Sequence, residues 1–168
     1  MDYAGILLST DYSLLATFFV IIRPYKPSDF DRLYEIDHAA FSEEIAYSHL
    51  ELQYYVRSRK CKTIIAEESG EVVGFAIGWS ERRNLGHIIT IDVVPHHQRQ
   101  QIGTRLLGEV EKWLWERGAE AIYLETPVDD TGARGFYEKY GYFIFDRIDG
   151  YYNDTLDAFV MIKTAKRL

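Results

Sequence analysis

The chain has 168 residues, a formal net charge of −7, 47% hydrophobic and 15% aromatic residues, and one cysteine, Cys61. This composition fits one globular domain, excludes a disordered chain, and argues against a nucleic-acid partner, which requires a basic surface. The lone cysteine excludes an internal disulfide and a cysteine-built metal site, and it favours a reducing, cytoplasmic location.

The first 19 residues are predicted to form an N-terminal extension to a single domain that covers residues 20–168. Their apolar pieces are interrupted by polar residues, and no apolar run reaches the length that spans a membrane. The first cation is Arg23, so no Lys or Arg precedes the apolar pieces as it would in a signal peptide. We therefore expect no membrane partner, and we interpret the extension as an added strand or a contact surface.

The domain is predicted to begin with a short strand and two helices. Residues 20–24 are largely β-branched and end at a proline, as a short strand would. Pro27 and Ser28 then open a helix in which Ser28 is the expected N-cap. A second helix is predicted to begin at Ser48, where Glu51, three residues later, completes a capping box.

A β-hairpin, a buried strand and a long helix are predicted next. Residues 63–67 and 71–79 are rich in β-branched and apolar residues, and a turn sequence separates them. After a polar loop at residues 80–86, the run Ile88–Val94 favours a buried strand that stops at a proline. Apolar residues then recur at helical spacing from Gly103, and the helix is expected to end at a cation followed by a glycine.

The C-terminal part is predicted to contain three more strands and one short helix. Residues 121–126 return as a strand parallel to the run at 88–94, because a helical crossover joins the two. A helix at residues 133–139 precedes a final antiparallel pair, residues 142–148 and 158–163, joined by a loop at 149–157. The order β-α-α-β-β-β-α-β-α-β-β assigns the chain to the α/β (α+β) class.

The segment between the buried strand and the long helix is a candidate anion-binding site. Backbone N–H groups of Arg99 to Thr104 lie at the predicted helix N-terminus. They have no partner within the helix there, and they lie at the positive end of the helix dipole. A pyrophosphate would bind there. The run Val93–Leu107 also resembles the coenzyme-A signature of the GNAT superfamily of N-acetyltransferases, Gln/Arg-x-x-Gly-x-Gly/Ala, with Gln98 first and Gly103 last. Gln101 stands in place of the middle glycine.

This resemblance covers roughly residues 20–163 and implies a GNAT-type fold, with a mixed, mostly antiparallel central sheet. It also implies acetyl-CoA as co-substrate, with the pantetheine arm along one strand and the pyrophosphate on the loop that follows. The residues implied to bind the coenzyme are Ile91, Asp92, Val93, Arg99, Gln100, Gln101, Ile102, Gly103, Thr104, Asp130 and Tyr137.

Three C-terminal runs carry further resemblance. Ala133–Tyr142 is similar to the GNAT pattern in which a tyrosine, here Tyr137, lies near the coenzyme sulfur. Ile122–Glu125 resembles the strand of ribosomal-protein alanine N-acetyltransferases whose glutamate is the proposed general base. Gly150–Ala158 resembles a loop of protein Nα-acetyltransferases.

The chemistry of acetyl transfer explains why such residues are needed. An amine must be neutral to attack a thioester, so a base must take its proton, and the departing thiolate benefits from an acid. We expect Glu125 to be the base and Tyr137 the acid. The carbonyl oxygen needs a donor, which a backbone N–H near Val93 would supply if the strand end is splayed or bulged. Alternatively, Glu125 is a solvated carboxylate at a strand end, Tyr137 is a core residue, and Asp130 is only a helix N-cap.

The acceptor is expected to bind between the segment 41–47 and the loop 149–157. Its aromatic contacts there would be Phe41, Tyr47, Tyr151 and Tyr152. The histidines His87, His96 and His97 raise the possibility of a metal site. Adjacent histidines in a loop are more often simply exposed, and no acidic residue lies at metal-ligand spacing, so we expect no bound metal.

Three functions remain open. The first is an acetyl-CoA-dependent N-acetyltransferase that acts on the N-terminal α-amine of a peptide or protein. The second is a GNAT enzyme that acts on a small amine, since a fold does not fix a substrate. The third is a non-catalytic acyl-CoA-binding module, motivated by Gln101 and by the apolar extension. The protein is expected to be a monomer or a homodimer.

Overall fold

A seven-stranded mixed sheet forms the centre of the fold, in the order β1-β2-β3-β4-β5-β7-β6. The computed structural model describes residues 19–43, 45–82 and 84–165, so nearly all of the predicted N-terminal extension lies outside the described residues. The strands are β1 Ile21–Pro24, β2 Cys61–Glu68, β3 Glu71–Arg82, β4 Leu85–Val93, β5 Ala121–Pro127, β6 Phe143–Tyr152 and β7 Leu156–Thr164. Neighbouring strands pair antiparallel except β4 and β5, which are parallel.

Helices cover the two faces of this sheet. They are α1 Phe30–Ala40, α2 His49–Arg57, α3 Ile102–Glu116 and α4 Thr131–Lys139. On one face, Leu33 of α1 and Leu52 of α2 pack against Phe75 of β3. On the other face, Leu106 and Leu114 of α3 are fully buried in a core that includes residues of β4 and β5. No helix within the described residues is long and apolar enough to span a membrane.

The predicted order of elements and the mostly antiparallel sheet are confirmed. Helix α3 is the crossover that makes β4 and β5 parallel, as a connection of this length allows. The capping box of α2 is also present, because Ser48 Oγ accepts the backbone N–H of Glu51 and the Glu51 carboxylate accepts the backbone N–H of Ser48.

The expected N-cap at Ser28 is wrong. Residues Pro27–Asp29 form a 3₁₀ turn before α1, and the carboxylate of Asp29 accepts the backbone N–H of Lys26 at 2.7 Å. The guanidinium of Arg23 donates two further hydrogen bonds to Asp29. This pair with β1, whose two residues are six positions apart, selects Asp29 over Ser28 as the residue that orders the turn.

Two segments predicted as loops are largely strands. Strand β3 continues to Arg82 and β4 begins at Leu85, so most of the polar loop predicted at 80–86 is strand. Likewise β6 continues to Tyr152 and β7 begins at Leu156, so most of the loop predicted at 149–157 is strand. Pairing with a neighbouring strand stabilises polar segments that would read as loops by composition alone.

Candidate active site

Strands β4 and β5 run side by side only at their beginnings. Leu85–His87 pairs with Ala121–Tyr123, and both strands then continue without pairing to each other. Between their diverging ends lies a cleft of about 750 Å³. The cleft is lined by Tyr47 from the segment between α1 and α2 and by Tyr137 of α4, so it connects the two faces of the sheet.

A β-bulge contributes to this divergence. Gly78 of β3 pairs with Ile88 of β4, whereas the preceding residue, Ile77, pairs with Thr90, so Ile89 is an extra residue in β4. Bulges bend the strand that contains them and increase its twist. The bulge lies four residues before Val93, so β4 bends before its end, and the end itself has separated from β5. A backbone N–H near Val93 that faces a ligand stays a prediction.

Glu125 and His87 face each other across the point where the strands part. His87 Nε2 lies 2.7 Å from Glu125 Oε2, and the two side chains are only 13% and 14% exposed. Glu125 therefore is not the solvated strand-end carboxylate of the alternative hypothesis. A carboxylate and an imidazole in contact are two adjacent groups of the types that act as general bases.

Aromatic rings hold the His87 imidazole in place. The ring stacks on Tyr123 with a centroid distance of 4.1 Å and an interplanar angle of 13°, and Trp79 lies on the same stack at 6.4 Å. The hydroxyl of Tyr123 donates to Glu81 at 2.8 Å, which fixes that ring in turn.

The sequence alone suggests His87 only as a possible metal ligand. No group of three or more potential ligands that could hold a metal is found within the described residues.

Tyr137 is both a core residue and a lining residue of the cleft. It is buried in the core under α3 and α4, where its ring contacts Phe136 and Tyr142. Burial, followed by the nearby carboxylates of Asp92 and Asp130, raises the pKa of the Tyr137 phenol well above its usual value. The hydroxyl therefore keeps its proton and can only be a donor of that proton, not a base, near neutral pH.

The four residues expected at the acceptor site all line the cleft. Two hydrogen bonds hold Tyr47 in place. Its backbone N–H donates to Asp37 Oδ2 at 2.8 Å, and its hydroxyl donates to the carbonyl of Ile89 at 3.1 Å. Phe41 lies at the start of the same segment, and Tyr151 and Tyr152 end strand β6. The sequence analysis missed Tyr55 of α2, which also lines the cleft and packs edge-on against Tyr47.

The predicted anion-binding loop, Arg99 to Thr104, adjoins the cleft next to Gln98. Gln98 lines the cleft and donates to the carbonyl of Val93 at 3.1 Å, whereas Arg99 to Thr104 are not among the lining residues. Helix α3 begins at Ile102, and no side chain caps it, which leaves its first N–H groups available for an anion. The side chain of Ile102 is buried, so only its backbone is available to a ligand.

Gln101 occupies a position that favours glycine. Its φ of +64° is left-handed, as is that of Arg99 at +61°. A side chain in this conformation costs roughly 1 kcal/mol, which glycine avoids. Gly103 has no such constraint, because a Cβ there would meet Phe136 at 3.7 Å, an ordinary contact. A requirement for glycine at position 103 would therefore come from a ligand and not from the fold.

Three further residues predicted to bind coenzyme have definite structural partners. The carboxylate of Asp130 accepts the backbone N–H of Ala133 at 2.8 Å, so it is the N-cap of α4, and it also lines the cleft. Thr104 Oγ1 lies 2.7 Å from the hydroxyl of Tyr140. Gln100 donates to the carbonyl of His96. The side chains of Thr104 and Gln100 thus order the loop, and their backbone groups remain available.

Asp92 is a buried carboxyl group in the wall of the cleft. It is 1% exposed, Thr90 donates to its Oδ1 at 2.9 Å, and its Oδ2 has no partner within the described part of the chain. Burial, strengthened by the negative charge of Asp37, raises the pKa of Asp92 to about 8. Burial likewise raises the pKa of Asp37 to about 6, although the N–H of Tyr47 opposes this shift. Asp92 is therefore protonated at neutral pH.

Comparisons with known proteins find related acetyltransferases. The model of the acetyltransferase (GNAT) family matches residues 30–142. An uncharacterized N-acetyltransferase of Methanocaldococcus jannaschii is 34% identical over 145 residues, which cover 86% of this chain and 91% of that protein. An N-alpha-acetyltransferase of Sulfurisphaera tokodaii is 30% identical over 152 residues, covering 83% and 90%. The crystal structure of Ard1 from Thermoplasma volcanium has a TM-score of 0.81 at 25% identity, covering 88% of this chain and 99% of that one.

The raised pKa of Asp92 predicts a pH-dependent stability. Between the unfolded pKa of roughly 4 and the folded pKa of about 8, the folded state holds a proton that the unfolded state releases, so stability falls as pH rises through this window. Asp92→Asn, which mimics the neutral carboxyl, should raise Tm at pH 9 by about 3 °C or more and leave it nearly unchanged at pH 4. Thermal unfolding measures both, with the exposed Asp129→Asn as control. An equal shift at the two pH values would contradict the assignment.

Proposed function

The chain belongs to the GNAT family of acetyltransferases, and on that premise we propose that it transfers the acetyl group of acetyl-CoA to the N-terminal α-amine of a peptide or protein. The observation that carries this proposal is the contact between Glu125 and His87, at the point where a cleft joins an anion-binding loop to an aromatic pocket. An N-alpha-acetyltransferase among its relatives supports the choice of acceptor.

The residues around the loop fit the coenzyme. Acetyl-CoA supplies the acetyl group as a thioester and brings an anionic pyrophosphate. The uncapped N–H groups of Ile102 to Thr104 provide donors for that anion, and Arg99 adds a positive charge. Ile91 and Val93 offer a strand edge facing the cleft, along which the pantetheine arm would lie. The backbone N–H near Val93 is the proposed donor to the carbonyl oxygen.

The pair of Glu125 and His87 would act as the base. A protonated amine cannot attack a thioester, so one proton must leave the nitrogen before or as the new bond forms. The carboxylate and the imidazole share one contact at 2.7 Å, so a proton accepted by either is stabilised by the other. Stacking on Tyr123 keeps the imidazole in the orientation that this contact needs.

Tyr137 would return a proton to the leaving thiolate. Its raised phenol pKa keeps the hydroxyl protonated until the thiolate develops. A free thiol has a pKa of roughly 8.5 in water, below that of this phenol, so the Tyr137 hydroxyl stabilises the developing thiolate as a hydrogen-bond donor and passes its proton to sulfur only as it takes up another. The ammonium loses two protons as it becomes an amide: one is released to solvent through the Glu125–His87 pair, and the other replaces the proton that Tyr137 delivers to sulfur, so the transfer is balanced.

The acceptor is proposed to be an α-amine and not a lysine side chain. An α-amine has a pKa of roughly 7.7 to 8.0 against roughly 10.4 for lysine, so deprotonating lysine near neutral pH costs about 3 kcal/mol more. A single carboxylate–imidazole pair suits the easier deprotonation. Phe41 and Tyr47 on one side and Tyr151 and Tyr152 on the other form walls between which a peptide terminus would enter.

We predict that Gly103→Val weakens acetyl-CoA binding by at least about tenfold. A Cβ at this position makes only ordinary contacts within the fold, and the valine side chain would occupy the space in which a phosphate approaches the first N–H groups of α3. Isothermal titration calorimetry measures the affinity, and Gly108→Val, in an open position on the same helix, is the control. Gln101→Gly should hold or improve the affinity, since it relieves a left-handed residue. Unchanged affinity in a folded Gly103→Val protein would remove the coenzyme from this loop.

Glu125→Gln and Tyr137→Phe should each lower kcat by roughly 10²- to 10⁴-fold while changing the affinity for acetyl-CoA much less. Both substitutions keep the shape of the side chain, so the fold should persist. Steady-state kinetics and calorimetry separate the two effects. His87→Asn should resemble Glu125→Gln, whereas His96→Asn, in the exposed 3₁₀ turn, should behave as wild type. Wild-type turnover in the first two variants would mean that an already neutral amine attacks without these groups.

Peptides with free N-termini should be acetylated on the α-amine, and the same peptides with blocked N-termini should not react at an internal lysine. The expected difference in kcat/KM is at least about 100-fold, since 3 kcal/mol corresponds to roughly that factor. Mass spectrometry maps the product, and polyamines and free amino acids complete the panel. Acetylation of lysine in the blocked peptide, or turnover of small amines alone, would overturn the α-amine proposal and leave an acetyltransferase of another acceptor.

A further inference from the structure

The acceptor side of the cleft is acidic. Of the described residues that line the cleft, none is Lys or Arg, whereas Glu43, Glu51 and Glu125 all lie along it. Glu43 belongs to the segment between α1 and α2, and Glu51 is in the first turn of α2. The cleft therefore has two exposed carboxylates in addition to Glu125.

The charges of Glu43 and Glu51 are not neutralised within the protein. Both side chains belong to exposed residues, and no Lys or Arg in the described ranges forms a salt bridge with either of them. The Glu51 carboxylate accepts hydrogen bonds from Ser48, which is uncharged. Glu125, by contrast, has His87 as its partner.

A second observation points to a polar ligand in the same cleft. The carboxyl of Asp92 lies in the cleft wall, is 1% exposed, and has an Oδ2 atom with no partner among the described residues. A neutral carboxyl can donate or accept a hydrogen bond, so this group indicates a polar partner, whereas the positive charge of that partner is inferred from Glu43 and Glu51. Tyr47, Tyr55, Tyr151 and Tyr152 add ring faces, which attract cations.

The reacting amine cannot be the group that benefits most from these carboxylates. The amine must lose its proton before it attacks, and its positive charge is then gone. Attraction to Glu43 and Glu51 therefore favours binding of the ammonium form but opposes its deprotonation. A second cation, which stays charged throughout the reaction, keeps the attraction in the transition state. Only such a group gains in kcat/KM from an acidic entrance.

Resting on the proposed function, we propose that Glu43 and Glu51 select peptide acceptors with a basic side chain close behind the reacting α-amine. The two carboxylates are exposed, so each contributes roughly 0.2–1 kcal/mol, which corresponds together to a preference of about 3- to 10-fold. Because exposed charges are screened, the preference should shrink as the ionic strength rises from about 20 mM to about 300 mM.

The test compares three peptides that differ only at the second residue, which is Arg, Gln or Glu. Arg is used because a guanidinium is not an acceptor of acetyl groups, so every product comes from the α-amine. The expected order of kcat/KM is Arg above Gln above Glu, with about 3- to 10-fold between the Arg and Gln peptides at low salt. An equal kcat/KM for all three would overturn the inference.

Substitutions test whether Glu43 and Glu51 cause the preference for the Arg peptide. The double variant Glu43→Gln with Glu51→Gln should reduce the Arg-to-Gln ratio to near 1, and glutamine at position 51 preserves the capping box of α2. Glu109→Gln with Glu116→Gln, on exposed positions of α3, is the matched control and should leave the ratio unchanged. A ratio that survives in the first double variant would overturn the inference.

These outcomes are distinct from a failure of the proposed function. If the Gln peptide is acetylated on its α-amine and the charge at the second residue has no effect, the α-amine assignment stands and the role of Glu43 and Glu51 is wrong. If no peptide is acetylated on its α-amine in any buffer, the proposed acceptor is wrong and the inference that rests on it fails as well.

Discussion

The separation of two parallel strands is the constraint on which the site depends. β4 and β5 pair from Leu85 to His87 and from Ala121 to Tyr123, and then diverge while each keeps its other neighbour. Backbone groups that lose their ladder partners in this way must find others or face a ligand. The divergence places the anion-binding loop, the Glu125–His87 pair and the aromatic acceptor walls around one opening through the sheet.

The carboxyl groups around this opening are stabilised in three different ways. Glu125 has an imidazole in contact, Asp92 is buried and keeps its proton, and Glu43 is exposed to solvent. These environments give chemically similar side chains different tasks, because burial favours the neutral form and a cationic or polar partner favours the charged form. The proposed base, a buried neutral carboxyl and an exposed carboxylate can therefore lie within a single cleft.

Much of the fold was predictable because its signals are local. The capping box at Ser48 and the strand–loop–helix run ending in α3 depend on residues within a few positions of one another. The extension of β6 to Tyr152 was not predictable from composition, since pairing with β7 stabilises a polar segment. Asp29 orders the turn in place of Ser28 because Arg23, six residues earlier on β1, binds it.

The sequence by itself determined the order of elements, the family resemblance and the candidate residues of the proposed site, including Glu125, Tyr137 and the four aromatic residues proposed to bind the acceptor. Only the tertiary structure decided which of these residues meet. His87 and Glu125 are 38 positions apart and come within 2.7 Å because their strands are neighbours in the sheet. The tertiary structure also decided the left-handed backbone at Gln101 and the buried, protonated state of Asp92. Strand pairing and burial depend on residues far apart in the chain, so a local sequence pattern does not specify them.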